Sequence, residues 1–192
     1  IRDARGRLAA FASVPQPCAP ILEELERRLL VAQARDLSAR ERQAHLDGLD
    51  RRIDDQLASI HIPRSRSVTL TAREGQIPVT VRNDLGYPAR VVLNLSSDQL
   101  EFPNGDRIEL DLDRRNTTLR VRVRARTSGS FPLLVNVTAP DGDLAVAESR
   151  FTVRSTAASG VGVVLSAGAI VFLLAWWLRH LVRTRRNAGA GA

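Results

Sequence analysis

In "LRVRVRAR", Leu119 to Arg126, an arginine occupies every second position. A period of two belongs to a strand, so Leu119, Val121, Val123 and Ala125 face one side and Arg120, Arg122, Arg124 and Arg126 the other. Guanidinium forks about 7 Å apart along one strand match carboxylate or phosphate oxygens. Such a strip would hold lipid headgroups or a phosphorylated cell-wall precursor. The plainer reading is a solvated strand face. In that reading acids such as Glu109 and Asp111 pair across to the arginines, and the charge suppresses edge pairing.

Other chemistry-bearing residues are sparse. Asp111 with Asp113, and Asp141 with Asp143, supply two carboxylates each, short of the six to eight oxygens calcium takes. "PDGD", Pro140 to Asp143, is more simply a turn. His45 and His61 have no second ligand at metal spacing, and HExxH, GxSxG and phosphate-loop patterns are absent. No metal, cofactor or catalytic residue is assigned, and the expectation is a non-enzyme. Cys18 is the single cysteine and stays unassigned. Asn94, Asn116 and Asn136 each open an N-x-[ST] sequon, which in a bacterial chain marks only strand-friendly polar residues.

The elements that must position these residues follow from periodicity. Residues 1–62 read as helical, with a short first helix over "RDARGRLAAFASV" ended by "PQPCAP". Ile21, Leu22, Leu25, Leu29 and Leu30 recur at helical spacing. Ser38 with Glu41 makes a capping box that opens a new helix, and Leu46, Leu49, Ile53, Leu57 and Ile60 form its apolar stripe. An antiparallel helical hairpin accounts for this; a coiled coil would need more heptads. Pro63 breaks the helix, and the period then changes to two. Apolar runs at Val68–Leu70, Ile77–Val81, Val91–Leu95, Leu100–Phe102, Ile108–Leu112, Leu119–Val123, Phe131–Val137 and Leu144–Val153 are separated by "NDLGYP", "PNGD" and "PDGD". Seven or eight short strands over 64–154 predict an antiparallel immunoglobulin- or fibronectin-like sandwich without the Cys…Trp…Cys signature. The last run changes parity between Val146 and Phe151, which predicts a bulge near Glu148.

Ala157 to Leu178 is a run of 22 residues with no ionisable side chain. As a helix it would extend about 33 Å, enough for a hydrocarbon core of about 30 Å. Trp176 and Trp177 stand at its end, in the position aromatic side chains take at the headgroup layer. Arg179, Arg183, Arg185 and Arg186 follow in the tail, 179–192, with no acid. This positive-inside pattern predicts a cytoplasmic C-terminus, an extracytoplasmic N-terminal region and contact with anionic lipid. Ala158, Gly162 and Ser166, with Ala169 close by, form a small-residue ridge that would let another membrane helix approach.

Net charge is +7 and all 28 basic residues are arginine. Ten Arg and ten acids cancel over 1–63, fourteen Arg face eleven acids over 64–156, and the tail supplies four more Arg. No aromatic-rich basic patch accompanies this charge, so a nucleic-acid partner is not expected. The exclusive use of arginine points to a GC-rich bacterial genome. The chain opens on Ile1, contains no Met and shows no basic-then-apolar leader; the expectation is the C-terminal part of a longer exported protein.

"GQIPVTVRNDLGYPARVVLNLSS" (Gly75 to Ser97), "TSGSFPLLVNVTAPDG" and "SGVGVVLSAGAIVFLLAWWLRH" together resemble an uncharacterised family of actinobacterial single-pass membrane proteins. Members look like exported proteins with an extracytoplasmic body, an Ig-like module and a C-terminal anchor. Their genes commonly lie beside that of a MurJ/MviN-type lipid flippase. The resemblance implies a part in cell-envelope biogenesis, with the flippase or a similar integral membrane protein as partner. It implies no catalytic residues.

The combined expectation is an α+β chain: helical hairpin, β-sandwich, one transmembrane helix (157–178) and a basic tail. Its function reads as a non-enzymatic, membrane-anchored accessory or scaffold module. Two other readings stay open. One is the anchor of a glycan-acting envelope enzyme whose catalytic domain lies upstream. The other is a receptor for an anionic envelope ligand.

Overall fold

The computed structural model describes residues 1–15, 19–63, 67–142, 144–156 and 168–177. The chain divides into two compact units, Ile1–Thr156 and Ala157–Ala192.

Three helices open the first unit: α1 (Arg2–Ala12), α2 (Pro20–Val31) and α3 (Ala39–Ala58). Pro20 starts α2, where its fixed φ suits the helix and its missing N–H costs nothing. Ser38 caps α3 through the expected box: the Glu41 N–H donates to Ser38 Oγ at 3.3 Å, and the Ser38 N–H donates to Glu41 Oε2 at 2.9 Å. Ile21, Leu25 and Leu29 from α2 join Leu46, Leu49, Ile53 and Leu57 from α3 and Leu8 and Phe11 from α1 in one apolar cluster. Leu30 departs from the expected stripe and is 67% exposed; it lies one residue beyond the Ile21–Leu25–Leu29 row, on a different face. Arg7 bridges Asp50 and Asp54 at the rim of this cluster.

Among the described residues nine strands follow: β1 (Ile60–His61), β2 (Val68–Leu70), β3 (Glu74–Asn83), β4 (Ala89–Ser96), β5 (Leu100–Glu101), β6 (Arg107–Leu112), β7 (Asn116–Ala125), β8 (Gly129–Thr138) and β9 (Ala145–Ser155). One sheet has the order β1-β3-β7-β5 and the other β2-β9-β8-β4-β6. Val79, Val81, Val121 and Val123 from the first meet Val91, Leu93, Leu133, Val135, Phe151 and Val153 from the second in one core. This is a sandwich of immunoglobulin-like type within a mixed α+β chain.

Three features depart from the expected pattern. Ile60 does not close the α3 stripe. Instead it opens β1, pairs with Asn83 and packs into the sandwich core. The sandwich is not wholly antiparallel, because β2 runs parallel to β9 with Val68 beside Val153. The bulge lies at Val146 rather than Glu148: Ala147 pairs with Val137 and Ala145 with Thr138, which leaves Val146 as the extra residue. The parity change has a physical cause. Phe151 and Val153 point into the sandwich, whereas Leu144 and Val146 also pack against the helical cluster. One strand therefore serves two cores.

Residues 168–177 are helical. Among the described residues no helix is long and apolar enough to cross a membrane. The rest of the expected span, 157–167 and Leu178, lies outside them.

Candidate functional site

β7 is one of the two ten-residue strands of the four-stranded sheet, and its alternation sets Arg120, Arg122, Arg124 and Arg126 on the exposed side while Val121, Val123 and Ala125 are buried. Its antiparallel neighbour β3 sets the company each arginine keeps. Arg124 faces Glu74, and its Nη2 donates to Glu74 Oε1 at 2.6 Å. Arg126 donates from Nε to Glu101 Oε1 at 3.2 Å. Arg122 faces Gln76 and Arg120 faces Pro78. Among the described residues, neither has an ion-pair partner. Next along, Thr80 and Thr118 share a hydroxyl hydrogen bond of 2.8 Å. The row is therefore half neutralised and half free.

The expected partners Glu109 and Asp111 do not meet this row. They stand on β6, which is paired to β4 in the other sheet, and Asp111 accepts from Arg90 Nε at 2.7 Å. Strand alternation indicates which face a residue takes but not which sheet its strand joins.

At one end of the sandwich, the β3–β4 and β6–β7 loops enclose an open depression of about 510 Å³ lined by Asp84, Tyr87, Arg114 and Arg115 among others. Asn83 builds its floor. Its Nδ2 donates to the carbonyls of Tyr87 (2.9 Å) and Leu112 (3.0 Å), and its Oδ1 accepts from the Leu85 N–H (3.0 Å). Asp84 lies between Arg115, 2.7 Å away, and Arg82, 2.8 Å away. The hydrogen bond from Arg115, helped by Arg82, holds its carboxyl below the usual range. Arg82 and Arg115 are thus spent on Asp84. The sequence pattern marks this depression only as a turn: Asn83, Asp84, Gly86, Tyr87 and Pro88 of "NDLGYP" line it.

Asp113 borders the same depression and, with Asp111, a second shallow one, and Asp111 accepts from Arg90 Nε. Among the described residues no group of three or more metal-ligating side chains comes together. Asp141 and Gly142 form the expected turn, with Gly142 at φ 85°. Ala169 is exposed, and Trp176 and Trp177 are 59% and 57% exposed. Cys18, Asp143, Ala158, Gly162, Ser166, Arg179, Arg183, Arg185 and Arg186 lie outside the described residues.

Comparison with solved structures returns β-domain neighbours at low identity. PapD-like domain 7 of human CEP192 is 15% identical with a TM-score of 0.35, over 53% of this chain and 87% of that one. Trypsin-activated alpha-2-macroglobulin from Escherichia coli is 16% identical with a TM-score of 0.40, over 51% of this chain and 7% of that one. WR4, a member of the MSP family from C. elegans, is 8% identical with a TM-score of 0.37, over 52% of this chain and 99% of that one. No curated protein matches the chain. One family model matches residues 9–188, from α1 through the sandwich into the basic tail, and the chain therefore belongs to the DUF6049 family, a family of unknown function.

Proposed function

We propose that this chain is a non-enzymatic, membrane-tethered accessory module of the cell envelope. In this reading 157–178 spans the membrane, the arginine tail stays in the cytoplasm and Ile1–Thr156 lies outside. The observation that carries it is the way the outer unit ends. β9 is held in its sheet through Ser155, and the Thr156 N–H donates to the Leu70 carbonyl at 3.0 Å. The apolar, charge-free run begins at the next residue, Ala157. In sequence, no Gly/Ser- or Pro-rich linker separates the last strand from that run. The packing of Tyr87, Leu144 and Val146 against the helices makes helices and sandwich one body. Such a body suits bracing or positioning at the membrane surface.

The partner in this reading is an integral membrane protein of the lipid-flippase type, met through Ala158, Gly162, Ser166 and Ala169. Small residues permit the close backbone approach on which helix association in lipid depends. The test is co-purification of the full-length chain from its native membrane, with and without Gly162→Leu. The reading expects the substitution to release a polytopic partner. Retention of every associated membrane protein would remove the docking role.

A further inference from the structure

On the side away from β3, β7 has a paired strand beside Arg124 and none beside Arg120. β5 follows it only through Leu100 and Glu101, opposite Ala125 and Arg124; Pro103, lacking an N–H, cannot extend the ladder. The hydrogen bonds show which way the remaining groups point. The Ala125 N–H goes to Arg73 on the β3 side, and the Arg126 N–H goes to Gln99 on the β5 side. In an antiparallel ladder these directions alternate, so Thr118, Arg120 and Arg122 turn their N–H and C=O toward the open side. Among the described residues those groups have no backbone partner there.

Two further observations change along the same edge. On the inward side Val121, Val123 and Ala125 are buried, but Thr117 and Leu119, farther along the strand from β5, are only half-buried. On the outward side Arg124 and Arg126 meet Glu74 and Glu101, whereas among the described residues Arg120 and Arg122 meet no acid. One missing strand accounts for free ladder groups, a half-open apolar row and unneutralised guanidinium groups together.

We propose that the Thr118–Arg122 edge of β7 binds an extended segment of a partner protein by strand addition, the segment alternating apolar and acidic residues. Its backbone completes the ladder, its apolar side chains cover Leu119, and its carboxylates lie across from Arg120 and Arg122 as Glu101 already does for Arg126. A second copy of this chain does not fit, because pairing β7 with β7 sets arginine against arginine. The proposal goes beyond the membrane reading and does not depend on it.

The experiment uses the full chain in detergent micelles and a fluorescent nine-residue peptide alternating Glu with Val or Thr. Wild-type protein should bind it, and Arg120→Ser with Arg122→Ser should weaken binding at least tenfold. N-methylation of the peptide along one edge keeps the charge but blocks the ladder, and should cost as much. Arg122→Pro should weaken binding further than Arg122→Ser, because it removes an outward N–H as well as the guanidinium. If Arg122→Pro fails to fold, Arg122→Ser and the N-methylated peptide decide. Equal binding of the N-methylated peptide overturns strand addition in favour of plain charge attraction. Polyphosphate binding more tightly than the peptide overturns it in favour of a phosphate-bearing ligand. No peptide binding by wild type, with self-association of the Arg120→Ser, Arg122→Ser protein, would mean that the arginines only guard the edge.

Discussion

The Tyr87 hydroxyl, on the β3–β4 loop, donates to Gln56 Oε1 on α3 at 2.8 Å. This bond ties the sandwich to the helices, and the ring beneath it packs on the helical cluster. The same loop is held from below by Asn83. Leu144 and Val146 pack on the same helical cluster, and the Arg90 N–H donates to the Val14 carbonyl at 2.7 Å, so the helices and the sandwich meet at several points.

Tyr87 is the single tyrosine, so its titration can be read directly. Burial pushes its hydroxyl up to about 12, against the smaller opposing effect of the Arg52 charge. Absorbance of tyrosinate in the folded chain should therefore show a midpoint near 12, and near 10 after denaturation. Because the folded value is the higher one, the associated stability is complete below the unfolded pKa and is lost as pH rises through the folded one. Tyr87→Phe should abolish that alkaline component and cost about 1 kcal/mol at neutral pH, seen in thermal melts.

Asn83 is 7% exposed and satisfies two carbonyls and one N–H. Asn83→Ala leaves all three without that partner and should cost roughly 2–4 kcal/mol. Denaturant titration checks this. Asn83→Asp should be at least as damaging near neutral pH, because a carboxylate would face two carbonyl oxygens.

Ser38→Ala should destabilise α3 by about 1 kcal/mol, which in a unit of this size lowers the melting temperature by roughly 2–4 °C. Hydrogen bonds from the Ser38 hydroxyl and N–H hold the Glu41 carboxyl below its usual pKa. A depressed folded pKa gives stability that is present above the unfolded value and lost as pH falls through the folded one. The wild-type advantage over Ser38→Ala should thus shrink between about pH 4 and the depressed value.

Much of this architecture can be read from local pattern. The period-two runs coincide with β2 to β9, and the Ser38–Glu41 box opens α3 at the expected residue. The parity change between Val146 and Phe151 pointed to a bulge two residues from its true place. What local pattern could not supply is partnership. Nothing in "RIELDL" indicates that β6 joins the sheet opposite β7, so the acids across from the arginine row had to be seen in register. Nothing in three residues of β2 indicates a parallel pair with β9. Ile60 fits the spacing of the α3 stripe, and only its pairing with Asn83 assigns it to the sandwich. Leu144 and Val146 looked like ordinary strand residues until the helices came to rest on them.

Sidedness is the claim on which the membrane reading turns, and cysteine accessibility measures it most directly. In a Cys18→Ser background, one cysteine would replace exposed Arg114 in the sandwich and another would replace Ala190 in the tail. The account predicts that a membrane-impermeant maleimide labels the Arg114→Cys protein in intact cells and the Ala190→Cys protein only after permeabilisation. Labelling of the tail from outside, with the sandwich protected until the membrane is opened, would contradict it.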